Sequence, residues 1–497
     1  MGLGRFGGGV GVVRWLAGQG AEVLVTDLEP ADRLAGSLEQ IRDLVDRGAV
    51  DLRLGGHEKR DFAACDLVVA NPGVLRPWEN EHLRAAAAAG VSITTEIRLL
   101  VERLDRACTI GVTGTAGKST TAAMIHHILR ELGRPAHLGG NIGGSLLTDL
   151  RRISSGDPVV LELSSFMLYW LGQGAGDPGA AGWSPSLAVM TNLTDNHLDW
   201  HGTFERYAEA KRTICRYQEA AHDHLVWAAD GDHARLAGWA ADGPAEACSI
   251  APRDPGADPW PIDGHLKLAV PGEHNRLNAR LAVTAATIAL GAEHDPGGAL
   301  EQVPSRFSGS RPLRPAGFIP ARPYQSECRP GGPYGALETD LARRCAEALG
   351  SFRGLPHRLQ LVGERDGLRF IDDSKSTTPR ATCLAVGAFD DPSKVHLIAG
   401  GYDKGLDLSA IVELAPRLAG LYTIGATGRD LAEAVTGRAA AALCHTLEAA
   451  VQGAIVRGRR GEILLLSPGC ASWDQYDNYE QRGEAFSECV KKKGLRD

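Results

Sequence analysis

The sequence predicts an α/β protein with three domains. Apolar strand-like segments alternate with helical segments along the 497-residue chain. Glycine-rich turns follow several of these segments, as they do in parallel sheets that bind nucleotides. A chain of this length accommodates about three domains. We expect an N-terminal Rossmann-like domain over 1–105, a central phosphate-loop domain with a mainly parallel sheet over 106–353, and a C-terminal Rossmann-like domain over 354–497.

The composition excludes several classes of protein. The formal net charge is −8 and Lys and Arg form no basic stripe, so we expect no nucleic-acid partner. The 10 cysteines include no C-x-x-C pair, which is typical of reduced thiols rather than of disulfides or zinc sites. We find no run of 18 apolar residues and no signal-peptide pattern. We therefore expect a cytoplasmic protein that does not insert into membranes.

The first domain opens with a glycine loop at residues 2–9, followed by a helical segment over 10–18. An apolar segment over 22–27 then ends in Asp27. Rossmann-like domains hold a phosphate and a ribose with this combination, although a glycine loop alone also makes ordinary turns. The loop starts directly after Met1. We therefore expect this domain to lack its first strand, or the start of the chain to lie further upstream.

The central domain contains the most informative stretch, residues 109–121. A strand-like segment leads into three glycines at three-residue spacing, then Lys118, Ser119 and a helical run. The pattern is G-x-x-G-x-x-G-K-S rather than the usual G-x-x-x-x-G-K-[ST]. Glycines let backbone N–H groups approach phosphate oxygens, and the helix N-terminus adds partial positive charge. We therefore expect Lys118 to reach the β- and γ-phosphates of a nucleotide and Ser119 to bind Mg²⁺. The alternative is a chance glycine turn, but such a turn would not also supply the strand, the Lys-Ser pair and the helix.

Polar residues also follow other predicted strands of the central domain. Glu162 ends an apolar run within 158–165, where phosphate-loop enzymes place an acid that binds Mg²⁺; a solvent-facing strand end is the alternative. His197 follows the strand predicted over 186–193, and Lys211 lies on the next predicted helix. A lone His is usually structural and a lone Lys is usually solvated. Their placement after a buried strand nevertheless indicates a second metal site.

The third domain presents acids and lysines after two predicted strands. Residues 372–375 are Asp-Asp-Ser-Lys, and residues 400–404 are Gly-Gly-Tyr-Asp-Lys. Open α/β sheets bind ligands at the carboxyl ends of their strands, which favours an anionic ligand over a surface charge cluster. Residues 303–338 are rich in Pro, Arg and Gly without hydrophobic periodicity, and we interpret them as an inserted loop.

The remaining element predictions follow from apolar periodicity. Strands are predicted over 22–27, 66–74, 108–112, 158–165, 186–193, 368–371, 395–399, 421–424 and 462–466, and helices over 10–18, over 204–211, from 272 onward and over 337–349.

Ten motifs occur in a fixed order along the chain. They are Gly-Val-Thr-Gly-Thr-Ala-Gly-Lys-Ser-Thr (111–120), Gly-Asn-Ile-Gly (140–143), Leu-Glu-Leu-Ser-Ser-Phe (161–166), Asn-Leu-Thr-Asp-Asn-His-Leu-Asp (192–199), His-Asn-Arg-Leu-Asn (274–278), Gly-Leu-Pro-His-Arg (354–358), Asp-Asp-Ser-Lys (372–375), Gly-Gly-Tyr-Asp-Lys (400–404), Leu-Ser-Pro-Gly-Cys-Ala-Ser-Trp-Asp-Gln-Tyr (466–476) and Glu-Gln-Arg-Gly (480–483). With them the chain resembles the Mur ligases, ATP-dependent amide ligases of peptidoglycan precursor synthesis. The resemblance is strongest to the glutamate-adding branch of that family.

The resemblance implies an activity. The chain would join glutamate, D-glutamate foremost, to UDP-N-acetylmuramoyl-L-alanine through an acyl phosphate, releasing ADP and phosphate. This step serves cell-wall biogenesis, cell shape and cell division. The implied cofactors are ATP and two Mg²⁺ ions, and family members are usually monomers, which we expect here too.

The resemblance also implies the site residues. The catalytic set is Lys118, Glu162, His197 and Lys211; one metal would be held by Ser119 and Glu162, the second by His197 and a carbamylated Lys211. ATP contacts map to Gly114, Thr115, Gly117, Lys118, Ser119, Thr120, Asn275, Asn278, Arg358 and Asp373. Contacts to the UDP substrate map to Gly4, Phe6, Gly7, Asp27, Asn71, Gly73 and Asn141. Glutamate contacts map to Thr377, Lys404, Ser472 and Tyr479, with Tyr479 standing where Phe is common.

Other functions stay open on the sequence alone. A related Mur-type ligase could use L-glutamate or another amino acid, and a non-catalytic ATP-binding protein would keep the nucleotide motifs. The Asp-Asn-Pro-Arg motif expected of diaminopimelate-adding enzymes is absent. Folylpolyglutamate synthase shares the layout of the central and C-terminal domains but lacks the N-terminal uridine-binding domain.

Overall fold

A computed structural model describes residues 1–4, 7–220, 222–229, 232–250, 262–268, 270, 272–291, 340–403, 405 and 407–491. The chain forms two compact units. The first comprises Met1–His265 and Leu277–Ala348, and the second comprises Leu266–Arg276 and Leu349–Asp497. The insertion predicted over 303–338 lies outside the described residues. No described helix has the length and apolar character needed to cross a lipid bilayer.

The N-terminal part of the first unit contains two pairs of parallel strands with short helices between them. Its elements are α1 (Gly8–Gly18), β1 (Val23–Asp27), α2 (Ala35–Glu39), α3 (Arg42–Asp46), β2 (Val50–Leu54), α4 (Lys59–Ala63), β3 (Leu67–Ala70), α5 (Glu81–Ala88), β4 (Ser92–Thr95) and α6 (Glu96–Val101). β1 pairs with β2, and β3 pairs with β4.

The first two residues lie between these strand pairs. The Gly2 amide donates a hydrogen bond to the Thr26 carbonyl at 2.7 Å, and the Met1 ammonium donates to the Val69 carbonyl at 3.0 Å. The Asn71 amide donates to the Met1 carbonyl at 2.9 Å. Residues 1–2 therefore bridge β1 and β3, although no strand is assigned before α1 in the described part of the chain.

The rest of the first unit is built on a six-stranded parallel sheet with the order β10-β9-β8-β5-β7-β6. Its elements are β5 (Thr109–Thr113), α7 (Lys118–Glu131), β6 (His137–Gly140), β7 (Val159–Glu162), α8 (Ser165–Trp170), β8 (Leu187–Met190), α9 (Leu198–His201), α10 (Phe204–Arg216), β9 (His224–Ala228), α11 (His233–Asp242) and β10 (Glu246–Ile250), followed in the chain by α12 (Glu273–Gly291) and α13 (Asp340–Ala348). Every residue of β5, β7 and β8 is buried, as expected for strands covered on both faces.

The second unit contains another six-stranded sheet, with the order β11-β12-β16-β13-β14-β15. Its elements are β11 (Gln360–Arg365), β12 (Leu368–Asp372), α14 (Pro379–Val386), β13 (Val395–Gly400), α15 (Ser409–Leu414), β14 (Gly420–Ile424), α16 (Gly428–Ala434), β15 (Ala441–His445), α17 (Leu447–Arg457), β16 (Ile463–Leu466) and α18 (Tyr479–Lys491). Only β11 runs antiparallel to its neighbour among these strands. Helices α14–α16 share one core with the sheet and α17–α18 share a second, so the sheet is covered on both faces.

The fold confirms the predicted α/β alternation, and each predicted strand and helix corresponds to an observed one. Seven of the described strands were not predicted: β2, β4, β6, β9, β10, β11 and β15. Several of these carry polar or half-exposed residues; β2, for example, is Val-Asp-Leu-Arg-Leu with two exposed positions. The glycines of residues 139–143 predict a turn there, but Gly139 and Gly140 still belong to β6 and the chain bends only at 141–143.

Candidate active site

The phosphate loop connects β5 to α7 at the carboxyl end of a central strand. Gly117 caps α7 in the left-handed region with φ 82°, and Gly114 has φ 150°. A Cβ on Gly114 would collide with Thr191 Oγ1, and a Cβ on Gly117 would lie 2.5 Å from Asn278 Oδ1. Both positions therefore require glycine. The same contacts place Asn278, a predicted ATP contact, directly against the loop.

The segment after β8 holds the phosphate loop in place. Asn192 Oδ1 accepts hydrogen bonds from the amides of Thr115 at 3.0 Å and Ala116 at 2.9 Å. The Thr115 hydroxyl donates to the Thr194 carbonyl at 2.9 Å and lies 2.8 Å from the Tyr207 hydroxyl. Neither Asn192 nor Tyr207 was predicted from the sequence to have a role. The Asn-Leu-Thr motif after a buried strand was the available signal for Asn192.

The first turn of α7 presents three predicted nucleotide contacts. Lys118 Nζ donates a hydrogen bond to the Thr115 carbonyl at 2.9 Å, so the side chain folds back over the loop. Ser119 is buried and Thr120 is half-buried. The helix N-terminus adds partial positive charge to that of Lys118, which makes this an electropositive cradle for phosphate.

Glu162 ends β7 beside β5 and is only 1% exposed. Its Oε1 accepts a hydrogen bond from Asn141 Nδ2 at 2.9 Å. Its Oε2 is buried without a hydrogen-bond partner in the described part of the structure. A buried carboxylate oxygen is costly unless a donor or a cation satisfies it. This unsatisfied oxygen fits a divalent metal at the position predicted for one.

Lys211 reaches the phosphate loop from α10. The side chain is 1% exposed, and Nζ donates to the Gly114 carbonyl at 2.7 Å and to Thr113 Oγ1 at 3.2 Å. Burial, followed by the charge of Lys118, lowers the pKa of Lys211 well below its ordinary value, and Glu162 opposes this shift. Lys118, Glu162 and Lys211 therefore share one electrostatic environment at the mouth of the sheet.

His197 follows β8 with a left-handed φ of 52°, and its ring lies 4.8 Å from that of Phe166. Partial desolvation and then the charge of Lys118 lower its pKa, with a smaller effect from Lys211. The structure thus brings all four predicted catalytic residues together. Among the described residues no group of three or more His, Cys, Asp and Glu is placed to hold a metal, so a metal here would also need the hydroxyl of Ser119 or a modified Lys211.

His201 ends α9, four residues after His197, and was not predicted from the sequence to have a role. It is buried, and its Nε2 is 3.0 Å from Ser165 Oγ. Burial lowers its pKa to about 4, with a further contribution from His197. The ring is therefore neutral at physiological pH and packs the base of the site against α8.

The predicted ribose-binding acid lies at the end of β1. Asp27 is buried, its Oδ2 accepts from the Gly4 amide at 3.1 Å, and its Oδ1 accepts from the Glu29 amide at 2.9 Å. Gly7 caps α1 with φ 84°. The loop and the acid therefore meet, whereas Phe6 lies outside the described residues.

Asn71 joins the same edge from β3. Its Nδ2 donates to the Gly2 carbonyl at 3.3 Å, and its Oδ1 accepts from the Gly73 amide at 2.9 Å. Asn141, also predicted to contact the UDP substrate, instead donates to Glu162. Helix α1 and the segment that follows Asn141 are nevertheless close together, because a Cβ on Gly11 of α1 would collide with Ser145 in that segment.

The second unit places two acids after β12. Asp372 Oδ2 accepts from His357 Nδ1 at 2.7 Å, and this hydrogen bond raises the pKa of His357. Asp373 is 5% exposed, and its carboxylate accepts from Ser467 Oγ at 2.8 Å and from the Leu359 amide at 3.3 Å. Burial raises the pKa of Asp373 to about 6. A buried acid of this kind is held rigidly by its donors.

Arg482 ties together the loops of this unit. The buried guanidinium donates to Ser374 Oγ at 3.0 Å, to the Ser374 carbonyl at 2.9 Å, to the Cys470 carbonyl at 3.1 Å and to the Ala471 carbonyl at 3.2 Å. Ser374 Oγ in turn donates to the Tyr479 carbonyl at 2.8 Å. Arg482 lies in the Glu-Gln-Arg-Gly motif, but no role was predicted for it from the sequence.

The remaining predicted contacts of the second unit lie on several segments, with Asn275 on α12 and Tyr479 at the start of α18. Arg358 is exposed, Thr377 and Tyr479 are half-buried, Ser472 and Asn275 are buried, and Lys404 lies outside the described residues. Lys375 Nζ lies 5.1 Å from the ring of Tyr479. Arg482 therefore fixes the loop ends that carry Ser472 and Tyr479.

Known proteins resemble the whole chain. It matches the family models Mur ligase MurD-like, N-terminal domain (1–95), Mur ligase middle domain (112–258) and Mur ligase, glutamate ligase domain (357–470). It is 35% identical to the UDP-N-acetylmuramoylalanine–D-glutamate ligase of Cereibacter sphaeroides, covering 99% of this chain and 96% of that protein. It is 33% identical to the enzyme of the same name from a Roseiflexus species, covering 99% of this chain and 97% of that protein. The structure of UDP-N-acetylmuramate–alanine ligase from Thermotoga maritima shares the fold, with a TM-score of 0.52, 18% identity and coverage of 99% and 98%.

Proposed function

Because the chain belongs to the Mur ligase family, we propose that it is an ATP-dependent ligase that joins D-glutamate to UDP-N-acetylmuramoyl-L-alanine in peptidoglycan synthesis. Relatives with that name match nearly its full length at 33–35% identity. The observation that carries the proposal is the meeting of Lys118, Glu162 and Lys211 at the phosphate loop. Transfer of a γ-phosphoryl group requires charged side chains that hold and neutralise the phosphates, and these three residues can supply them.

In the first step, a carboxylate oxygen of the substrate's alanine attacks the γ-phosphorus of ATP. The bond from the γ-phosphorus to the β,γ-bridging oxygen breaks, and ADP leaves with the electron pair. Negative charge builds on the transferred group, and a preorganised positive environment lowers the barrier. Lys118, fixed over the loop by the Thr115 carbonyl, and the N-terminus of α7 supply that environment.

In the second step, the amine of glutamate attacks the carbonyl carbon of the acyl phosphate. The carbon–oxygen bond to phosphate breaks, phosphate leaves, and the amine loses a proton to give the amide. Thr377, Ser472, Tyr479 and Lys404 correspond to the family's glutamate contacts. Arg482 would hold Ser472 and Tyr479 in position through Ser374 and the Cys470 and Ala471 carbonyls.

Two Mg²⁺ ions are proposed at the phosphate loop, one held by Ser119 and Glu162 and one by His197 and Lys211. When bound, they would neutralise phosphate charge. Oε2 of Glu162 has no hydrogen-bond partner among the described residues, which supports the first position. The second requires carbamylation of Lys211, in which the amine adds CO₂ and loses a proton. The product is a carboxylate-like end, so the residue could then face a cation.

Gly4, Gly7, Asp27, Asn71 and Gly73 are proposed to bind the uridine diphosphate of the substrate. Asp27 and Asn71 both hydrogen-bond to the opening glycine loop. A buried carboxylate beside a glycine loop is the arrangement of Rossmann-like sites for ribose and diphosphate, which supports this assignment.

An amino-acid panel tests the function. Purified protein is incubated with UDP-N-acetylmuramoyl-L-alanine, ATP and Mg²⁺, and released phosphate is measured with each amino acid, including both glutamate enantiomers. We expect release with D-glutamate, and none from the Lys118→Ala control. Release only with L-glutamate or another amino acid would replace the proposal by a sister ligase. ATP binding without release in any arm would leave a non-catalytic nucleotide-binding protein.

A further inference from the structure

A cavity of about 180 Å³ lies in the second unit, between the turn that joins β11 to β12 and the loop that joins α17 to β16. The turn precedes β12 and the loop precedes β16, and these two strands run parallel to each other. The cavity is therefore at the amino ends of both strands. Asp373 and Ser467 directly follow the carboxyl ends of the same strands. The cavity thus lies at the edge of the sheet opposite the one that carries the predicted ATP and glutamate contacts.

Backbone hydrogen bonds hold the two walls of the cavity together. Arg365 pairs with Leu368 across the hairpin, so Asp366 and Gly367 form a two-residue turn with φ 53° and φ 80°. Asp-Gly is a favoured pair for such a turn, because both of its positions need a left-handed backbone. The Gly461 amide donates a hydrogen bond to the Gly367 carbonyl at 2.8 Å, which joins the loop before β16 to the hairpin. The walls are therefore fixed relative to each other.

Three arginines line the cavity. Arg365 comes from the hairpin and is half-buried, whereas Arg459 and Arg460 come from the loop and are exposed. The stem of Arg460 packs over the hairpin, because a Cβ on Gly367 would collide with Arg460 Cγ. The Arg459 amide donates to Glu462 Oε2 at 2.8 Å, which anchors the backbone of the loop. Within the described part of the chain, none of the three guanidinium groups forms an ion pair.

The floor of the cavity is apolar, and the charge of its lining is positive. Leu368, Phe370 and Ile455 supply the floor and are at most 5% exposed. The lining carries three positive charges from the arginines and one negative charge from Asp366. An apolar wall strengthens the field of charges beside it, and the guanidinium group donates two parallel hydrogen bonds to oxyanions. These properties favour an anionic ligand with several oxygens.

We propose that this cavity binds a single phosphate group, either as the free ion or as a monoester, through the guanidinium groups of Arg365, Arg459 and Arg460. A doubly charged phosphate balances the lining charge, whereas a carboxylate would leave part of it unbalanced. The volume is below the range of sites that enclose drug-sized ligands, which favours one phosphate group over a whole nucleotide. The inference does not depend on the proposed ligase activity, because the three arginines are outside every predicted substrate and ATP contact.

Hydrogen-exchange mass spectrometry of the full-length protein tests the proposal. The protein is titrated with inorganic phosphate or with glycerol 3-phosphate, and with chloride at equal ionic strength as the control. We expect saturable protection of the peptides that cover residues 360–370 and 455–463 with at least one of the two phosphates, and none with chloride. The phosphate that protects at the lower concentration identifies the ligand as a free ion or a monoester. Phosphate bound at the phosphate loop would be seen separately, in peptides covering 109–121.

Variants make the test specific. In Arg460→Ala, the Kd for phosphate should rise about tenfold or more, because a charge-assisted hydrogen bond is lost. Arg460→Lys keeps the stem and the charge, so its Kd should lie between those of wild type and Arg460→Ala. Asp366→Asn removes the opposing charge, and Asn tolerates the left-handed backbone, so its Kd should fall by about threefold. Arg438→Ala removes an exposed arginine of the same unit outside the cavity and should leave the Kd within about twofold of wild type.

Three results would overturn the inference. The first is protection confined to residues 109–121, with both cavity peptides unchanged by either phosphate. The second is an equal Kd in Arg460→Ala and Arg438→Ala, which is the behaviour of a solvated basic surface. The third is a higher Kd in Asp366→Asn, because a carboxylate that opposes the ligand cannot also support its binding. Exchange measured without ligand shows whether each variant keeps the hairpin folded.

Discussion

Asp373→Asn is expected to stabilise the second compact unit at neutral and alkaline pH. Burial raises the pKa of this carboxyl from 3.8 to about 6. The folded state therefore prefers the protonated acid over the carboxylate. The contribution of Asp373 to stability is fully present below pH about 4 and is lost as the pH rises through about 6.

The magnitude follows from that shift. A rise of about 2 pKa units means that the ionised Asp373 lowers the free energy of unfolding by about 3 kcal/mol at pH 8. By the linkage relation the loss at pH 5 is about half of that. Asn removes the charge while keeping the shape. Its oxygen can accept from the Leu359 amide and its amide can donate to Ser467 Oγ, because a hydroxyl also accepts. The expected gain is thus up to about 3 kcal/mol at pH 8 and about 1.5 kcal/mol at pH 5.

The assay is urea unfolding of the full chain followed by hydrogen-exchange mass spectrometry of peptides from β12 and β16. Wild type and Asp373→Asn are compared at pH 5 and pH 8. Asp430→Asn, which removes an exposed carboxylate in the same unit, is the control and should change stability by less than about 0.5 kcal/mol at both values. An equal effect of Asp373→Asn at the two pH values, or destabilisation at pH 8, would refute the reasoning.

Three further predictions concern the phosphate loop. Lys118→Ala should lower phosphate release by at least about 10³-fold, because it removes positive charge from the transferred group; near-normal turnover would contradict the assigned role. Glu162→Gln can still accept a hydrogen bond from Asn141 but loses the negative charge, so the Mg²⁺ concentration for half-maximal activity should rise by about 100-fold or more. An unchanged Mg²⁺ requirement would exclude Glu162 as a metal ligand. Lys211→Ala should lose activity and regain part of it with added short carboxylates that occupy the place of the carbamate; absence of rescue at any concentration counts against carbamylation.

The sequence was most informative where local rules and chemistry coincide. The loop 109–121 predicted a strand, a glycine turn and a helix, and the structure has these as β5, the loop and α7. Glu162 was predicted at a strand end because the apolar run before it reads as a buried parallel strand. The strands that were not predicted include half-exposed ones such as β2 and β15, which are only five residues long and carry weak periodicity.

Contacts made by residues far apart in the chain were not predictable. Asn192 holds the phosphate loop from 76 residues away along the chain, and Arg482 reaches Ser374 from 108 residues away. Such partners depend on strand order, which a single sequence with short apolar runs does not specify.

The sequence by itself determined which chemistry is available: a phosphate loop, its lysine and serine, and an acid at the end of the neighbouring strand, because glycine conformation, helix polarity and apolar runs act over a few residues. The tertiary structure decided which groups share an environment: the buried Lys211 on the Gly114 carbonyl, and the Glu162 oxygen that has no hydrogen-bond partner among the described residues. The physical reason is that desolvation and hydrogen-bond satisfaction are properties of packed neighbours, which only the folded sheet brings together.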